Sequence, residues 1–286
     1  MRPIVKKKTL RPAASLRFLY EKKLGTPFLK LLTSRFVSRA VGRYLDGRLS
    51  KGLIKGYVKK HGIDMNEYLA EQYPSFNAFF TRRIRPELRP FDFSPEAFVS
   101  PCDGKLSVFP VEEGGKFEIK GFSYSAETLL RNVELAEKYR GGWCLVFRLT
   151  VEDYHRYFYI DGGSKGENVF IEGRLHTVQP IALEHRRVFT ENCREYTVLH
   201  TENFGDVTQV EVGAMMVGRI VNNQGAGSFR RGEEKGRFEF GGSTIVLLVE
   251  REKVVLDEEL IRNTLEDGET KVLCGERIGI KEVAGR

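Results

Sequence analysis

The sequence predicts an α+β protein, with N-terminal helices followed by a β-rich body of mainly antiparallel strands. Three observations carry this. Apolar residues in 27–60 recur at helical steps, whereas from Phe98 onward short apolar or alternating runs sit between glycines and turn residues. Pro86, Pro90 and Pro95 mark an extended join between the two. At 286 residues the chain can bury one large core with an appendage, or two small ones.

Charge divides along the same line. Residues 1–60 carry 17 Lys or Arg against Glu21 and Asp46, whereas the remainder is mildly acidic and the whole chain is +7. A basic segment on an acidic body points to an anionic partner for that segment, either nucleic acid or a membrane surface. No run of 18 apolar residues is present, so no bilayer-spanning helix is expected. Met1 to Lys8 is basic but lacks the apolar stretch and cleavage site of a secretory signal. Cys102, Cys144, Cys193 and Cys274 are widely spaced, which predicts reduced thiols, a cytoplasmic setting and no zinc site.

In order, residues 27–60 read as helix. Phe28, Leu31, Leu32, Phe36, Ala40, Val41, Tyr44 and Leu45 share a face, with Lys30, Arg35, Arg39 and Arg43 off it. Two readings stand: a helix packed on its own domain, or one lying in the headgroup plane. Nucleic acid fits less well, because no binding fold or base-stacking motif accompanies the charge. A short helix is expected over 64–72 and another from Pro74 to near Arg83. Strands are expected at 106–111, 117–122 and 143–149, with a helix over 126–139 between the last two. Val207 to Ile220 alternates as a strand, with Met216 on its apolar face. Phe240-Gly-Gly-Ser-Thr leads into the buried run Ile245 to Val249. A helix over 257–265 and a strand over 271–274 finish the chain. The organisation is a basic amphipathic segment 1–60, short helices and a linker 61–97, and the body 98–286.

Two glycines before Ser243 permit torsions closed to other residues, so its hydroxyl can turn back on the preceding carbonyl. Alone, Gly-Gly-Ser-Thr is an ordinary turn. His155 lies in Asp153-Tyr-His-Arg156, just past an apolar strand, where polar side chains converge. Asp103, between Cys102 and Gly104, is by default a turn-forming Asp. Ser243, a histidine and Asp103 together would make nucleophile, base and orienting carboxylate. A Ser-His-Asp hydrolase is open on these residues, although the Gly-x-Ser-x-Gly elbow is missing and Ser243 precedes a strand, not a helix. His61 and His200 read as surface residues.

With those residues in place, the chain resembles the phosphatidylserine decarboxylases, a family of pyruvoyl-dependent enzymes made as self-processing proenzymes. The likeness runs from about Pro74 to the C-terminus. It rests on Phe79-Phe80-Thr-Arg82, Ser100-Pro-Cys-Asp103-Gly104, Lys120-Gly121-x-x-Tyr124-Ser125, Asp153-Tyr154-His155-Arg156, Val212-Gly213-Ala214 with Val217-Gly218, and Gly242-Ser243-Thr244, six stretches in the family's order.

The resemblance implies that the chain cuts itself between Gly242 and Ser243, leaving a β chain 1–242 and an α chain 243–286 that stay associated. Ser243 becomes a pyruvoyl group, which condenses with the amine of phosphatidylserine as a Schiff base and releases CO2 and phosphatidylethanolamine. It further implies that Asp103 orients a histidine, and that Arg82, Lys120 and Tyr124 are headgroup contacts. No metal is expected. The basic segment then has a partner in the anionic membrane, with the enzyme peripheral on the cytoplasmic face of the cell membrane. A homodimer is left open.

Two departures stand out. Many members have Leu where this chain has Gly241, a change read as one of flexibility. Members also carry a second histidine, assigned to self-cleavage, at the position of Phe158. Either His155 serves both steps, or His176, or less readily His185, replaces it. The rival readings are a pyruvoyl decarboxylase of a soluble amino acid, the uncut hydrolase, and a non-catalytic lipid-binding module.

Overall fold

The computed structural model describes residues 2–6, 13–119, 121–215, 219–241 and 243–283. Lys120, Met216 to Gly218 and Gly242 lie outside the described residues. The architecture is α+β, and every strand pairing among the described residues is antiparallel.

After a first strand β1 (Ile4–Lys6) come helices α1 (Ala14–Glu21), α2 (Thr26–Leu32), α3 (Arg35–Asp46), α4 (Leu53–His61) and α5 (Phe76–Phe80). Strands β2 (Ala97–Val99), β3 (Gly104–Pro110), β4 (Lys116–Ile119) and β5 (Phe122–Ser125) lead to helices α6 (Ala126–Leu130) and α7 (Val133–Glu137). Next are β6 (Trp143–Leu149), β7 (Arg156–Phe158), β8 (Gly163–Lys165), β9 (Val169–Ile171), α8 (Pro180–His185) and α9 (Val188–Glu191). Then come β10 (Arg194–Thr201), β11 (Gly205–Val212), β12 (Ile220–Asn222), β13 (Gly227–Phe229), β14 (Glu234–Phe238) and β15 (Ser243–Val249). The chain closes with β16 (Val254–Leu256), α10 (Glu258–Leu265), β17 (Gly268–Val272) and β18 (Arg277–Lys281).

Ten strands form the main sheet, with β15 between β6 and β11. All seven residues of β15 are buried. Ile245, Leu247 and Val249 enter one core with Leu145, Phe147 and Leu149, whereas Val246 and Leu248 enter a second core with Cys144 and Val146. A strand covered on both faces needs a continuous apolar run, and Ile245 to Val249 supplies one directly after Ser243-Thr244. The three strands β12, β14 and β7 form a smaller sheet, and β14 delivers the chain to Ser243.

Several elements differ from expectation for physical reasons. The run 27–60 is not one helix: Thr33-Ser34 ends α2, Ser34 caps α3 through Val37 N–H, and Gly47 closes α3. Over 64–72 only a single turn, Met65–Glu67, is helical. Leu69 N–H bonds Arg83 O and Arg85 N–H bonds Glu67 O, which holds this stretch extended. The helix from Pro74 contracts to α5, capped by Ser75. The expected strand 117–122 is the hairpin β4–β5, turned at Gly121 with φ +76°. Arg131 at φ +51° divides the expected helix 126–139, and Asn132 caps α7 anew. The alternating run ends as a strand at Val212, before Gly213. The strand expected at 271–274 falls at 268–272, and a further strand, β18, follows it.

The N-terminal segment is tied to the body at both ends. β1 pairs with β17, and Arg2 bonds Asp257, Glu259 and Glu276. Further on, Leu45 of α3 packs with Phe76, Phe79 and Phe80 of α5, and Phe240 lies against the same cluster. These helices therefore roof the stretch immediately before Ser243.

Candidate active site

Ser243 opens β15 and is fully buried, its Cα paired with Leu149 of β6. Its Oγ lies 3.3 Å from His155 Nδ1, and the imidazole is itself fully buried. The second ring nitrogen, Nε2, sits 3.0 Å from Thr150 O. A carbonyl can only accept, so the neutral ring carries its proton on Nε2 and offers the Nδ1 lone pair to the Ser243 hydroxyl. Burial pushes His155 down to about 4, with Asp153 opposing and Arg82 reinforcing the shift. At neutral pH the imidazole is therefore uncharged and able to take a proton.

The Asp-Tyr-His-Arg stretch now has a part-by-part account. The Asp153 carboxylate accepts from Thr150 N–H at 2.7 Å and Thr150 Oγ1 at 2.6 Å, closing the turn whose carbonyl holds His155. Burial works to raise the Asp153 pKa, but Lys105 and the Thr150 bonds leave it below the usual carboxylate range. Tyr154 packs with Tyr68 and Ile84. Arg156 spans from Thr81 O at 2.7 Å to Glu234 at 2.7 Å, tying α5 to β14. Phe80 lies against the imidazole, ring centroids 4.2 Å apart, and Phe238 N–H bonds His155 O at 2.9 Å. The imidazole is thus fixed by its own turn, by the helical roof and by the strand that leads to Ser243.

On the chain before Ser243, Asn77 Oδ1 accepts from Phe240 N–H at 3.2 Å, and Phe240 packs edge-on against Phe76 and Phe80. Gly241 is buried with φ +130°. In this conformation a leucine would be strained, so the glycine is a conformational requirement as well as a gain in flexibility. Gly242, the expected cut site with Ser243, lies outside the described residues.

Other expected site residues fall elsewhere. Asp103 is buried, but it is gripped by Arg89 at 2.7 and 2.8 Å and accepts from Cys274 N–H at 2.9 Å; it makes no hydrogen bond to His155. His176 is buried with Nδ1 3.2 Å from Tyr20 OH and Nε2 3.5 Å from Glu191, and none of its bonds reaches Ser243. Burial also pushes His176 down to about 4. His185 is exposed at the end of α8. Phe158 packs on Phe91 and Tyr154. Arg82 is buried between the Tyr68 and Phe79 rings and donates to Tyr68 OH at 3.0 Å. Tyr124 is buried against Phe117 and Phe189, and Lys120 lies outside the described residues. Among the described residues no His, Cys, Asp and Glu cluster could hold a metal ion.

Comparison with known proteins decides the family. The phosphatidylserine decarboxylase family model matches residues 76–280. The chain belongs to the phosphatidylserine decarboxylase family. It is 43% identical to phosphatidylserine decarboxylase proenzyme 2 of Clostridium acetobutylicum, over 92% of this chain and 91% of that one. It is 42% identical to the phosphatidylserine decarboxylase proenzyme of Ruminiclostridium cellulolyticum, over 92% and 90% of the two chains. The proenzyme of Clostridium novyi is 39% identical, over 93% and 92%. The family is one of carboxy-lyases, so the chain is an enzyme of that class and a decarboxylase made as a proenzyme.

Proposed function

We propose that this enzyme decarboxylates phosphatidylserine to phosphatidylethanolamine, using a pyruvoyl group that it makes from Ser243 by cutting itself between Gly242 and Ser243. The observation that carries the reading is the buried Ser243 Oγ facing the free lone pair of His155 Nδ1.

His155 takes the hydroxyl proton as Ser243 Oγ attacks the Gly242 carbonyl, and the amide becomes an ester. Loss of the Ser243 α-proton then expels Gly242 as a carboxylate, and water releases the nitrogen as ammonia. The pyruvoyl group supplies a ketone that serves as an electron sink for the carboxylate bond being broken. In both stages His155 handles the proton, one residue serving twice in place of the missing second histidine. Thr150 O sets its tautomer and Asp153 sets Thr150. Asp103, through Arg89 and Cys274 N–H, and His176, through Tyr20, act on the scaffold around this pair. Arg82 supports the roof.

Association of the two fragments follows from the sheet. The strand that opens the α chain, β15, is paired along its length with β6 and β11 and buried on both faces. Cutting before Ser243 leaves those pairings intact.

The N-terminal helices fit a peripheral site on an anionic membrane at the cytoplasmic face. Of the expected apolar face, Leu45 turns inward, as does Leu29 outside that face, while Phe28, Leu31, Phe36 and Tyr44 point to solvent, Phe36 at 80% exposure. Leu24 and Leu49 are more than three-quarters exposed as well. Exposed aromatics and leucines beside unpaired arginines suit the headgroup plane. No helix among the described residues is long and apolar enough to cross a membrane.

The test incubates purified enzyme with phosphatidylserine vesicles and, separately, with free serine, and measures CO2. Release from the lipid alone supports the reading, and release from free serine alone overturns the substrate assignment.

A further inference from the structure

Two cavities adjoin on the inner side of α3. The first, about 180 Å³, is lined by Arg35, Ser38, Arg39, Glu195, Gly213 and Arg219. The second is lined by Ser38, Arg39, Arg43, Asp46, Arg219 and Phe240 among others. Ser38, Arg39 and Arg219 belong to both. Each cavity touches chain next to the mouth of β15. Gly213 comes directly after Val212, which pairs with Thr244, and the Cα of Phe240 is within about 11 Å of that of Ser243 by chain length alone.

The polar groups here are not balanced by the protein. Ser38 is 2% exposed, and its Oγ has no hydrogen-bond partner, a rarity for a buried hydroxyl. Among the described residues Arg39 and Arg43 have no acidic partner, while Arg35 is paired with Glu172. The cavities' own carboxylates are engaged: Asp46 by Asn77 at 2.8 Å, Glu239 by Arg219 at 3.2 Å, and Glu195 by Asn222 at 2.7 Å. One buried hydroxyl and two free guanidiniums remain, a donor set suited to a phosphate oxyanion. One step around the same helix, Phe36 and Tyr44 are exposed.

We propose that Ser38, Arg39 and Arg43 form the subsite that holds the phosphodiester of the lipid substrate, beside an Arg219 already held by Glu239 and Asp46. Helix α3 then stands between bilayer and active site: its aromatic edge meets the acyl chains, and its arginine edge delivers the headgroup to the strand mouth. This deepens the proposed function and rests on that reading.

The experiment uses the mature, self-cleaved, full-length enzyme and a short-chain phosphatidylserine kept below its micellar concentration, so that attraction to a surface contributes nothing. For the double variant Arg39→Gln, Arg43→Gln the expected result is a KM raised by about tenfold or more, with kcat within about threefold. Ser38→Ala should move KM in the same direction by less, and Arg39→Lys with Arg43→Lys should recover part of the loss. Should the double variant fail to mature, the single variants Arg43→Gln and Ser38→Ala carry the same readout. An unchanged KM for the soluble lipid overturns the subsite, including the case in which only vesicle flotation falls and the arginines merely attract the surface. A wild-type enzyme with no action on any phosphatidylserine sinks the parent reading instead, so the two failures are distinct.

Discussion

The mouth of β15 and the outer surface of α2 and α3 are built from similar apolar residues and treat them in opposite ways. Around Ser243 every side chain of β15 is buried, and the histidine that faces it is sealed under Phe80. On α2 and α3, Phe28, Leu31, Phe36 and Tyr44 stand in solvent. Under the proposed function, covering both faces of β15 would remove water from the attacking hydroxyl, whereas leaving the helices uncovered would provide a surface for lipid. Position against the sheet, more than composition, separates the two tasks. Leu45 shows this within a single helix, because it sits one residue after Tyr44 and turns inward to Phe76 and Phe80.

The comparison breaks most sharply at Ser243. Ser243→Ala should leave the chain whole on a denaturing gel and devoid of decarboxylase activity, with the fold retained by circular dichroism. A cut product from this variant would contradict the buried-mouth account. Next comes the base: His155→Ala should slow self-cleavage by on the order of 10²–10⁴ fold. His176→Ala and His185→Ala should cut normally. Slow cutting in His176→Ala with normal cutting in His155→Ala would reverse the assignment.

On the helical surface, replacing Phe28, Leu31 and Phe36 together by Ser should lower vesicle binding while self-cleavage proceeds unchanged. Full burial of such side chains is worth about 1.5–3 kcal/mol each, so even partial insertion makes a loss of about tenfold in vesicle partition the expected flotation result. Equal flotation would remove the lipid-facing role of these residues.

The smallest expected effect concerns pH. With His155 held near 4 by burial, self-cleavage should show no inflection near 6.5 and should fall only as pH approaches 4. Stability tracks the same group. The unfolded histidine binds a proton near 6.5 while the folded one resists until about 4, so the contribution is intact above 6.5 and is lost as pH falls through that window. The loss amounts to roughly 3 kcal/mol for this residue. A cleavage rate that halves near pH 6.5 would show His155 to be solvated.

Much of this was legible in the sequence. The apolar run after Ser243, the strand expected at 143–149 and the helix expected over 257–265 appear as β15, β6 and α10. Ser243 and His155 were named from their neighbours, and the structure brings them together. The groups that hold them were not legible. Thr150 contributes a backbone carbonyl, which has no residue-type signature, and Asp153 acts by shaping that turn and by its charge on the imidazole. Phe240 and Asn77 meet across 163 positions of sequence. Asp103 was expected beside the histidine, but Arg89, in a stretch that reads as linker, takes its carboxylate. The one-helix reading of 126–139 failed at Arg131, a non-glycine residue in a left-handed conformation that periodicity cannot reveal.

The most direct test of the central claim is the intact mass of the purified wild-type protein. Two species are expected, residues 1–242 and a fragment from 243 onward lighter than its written sequence by one ammonia. A single unbroken chain that still converts phosphatidylserine would contradict the account.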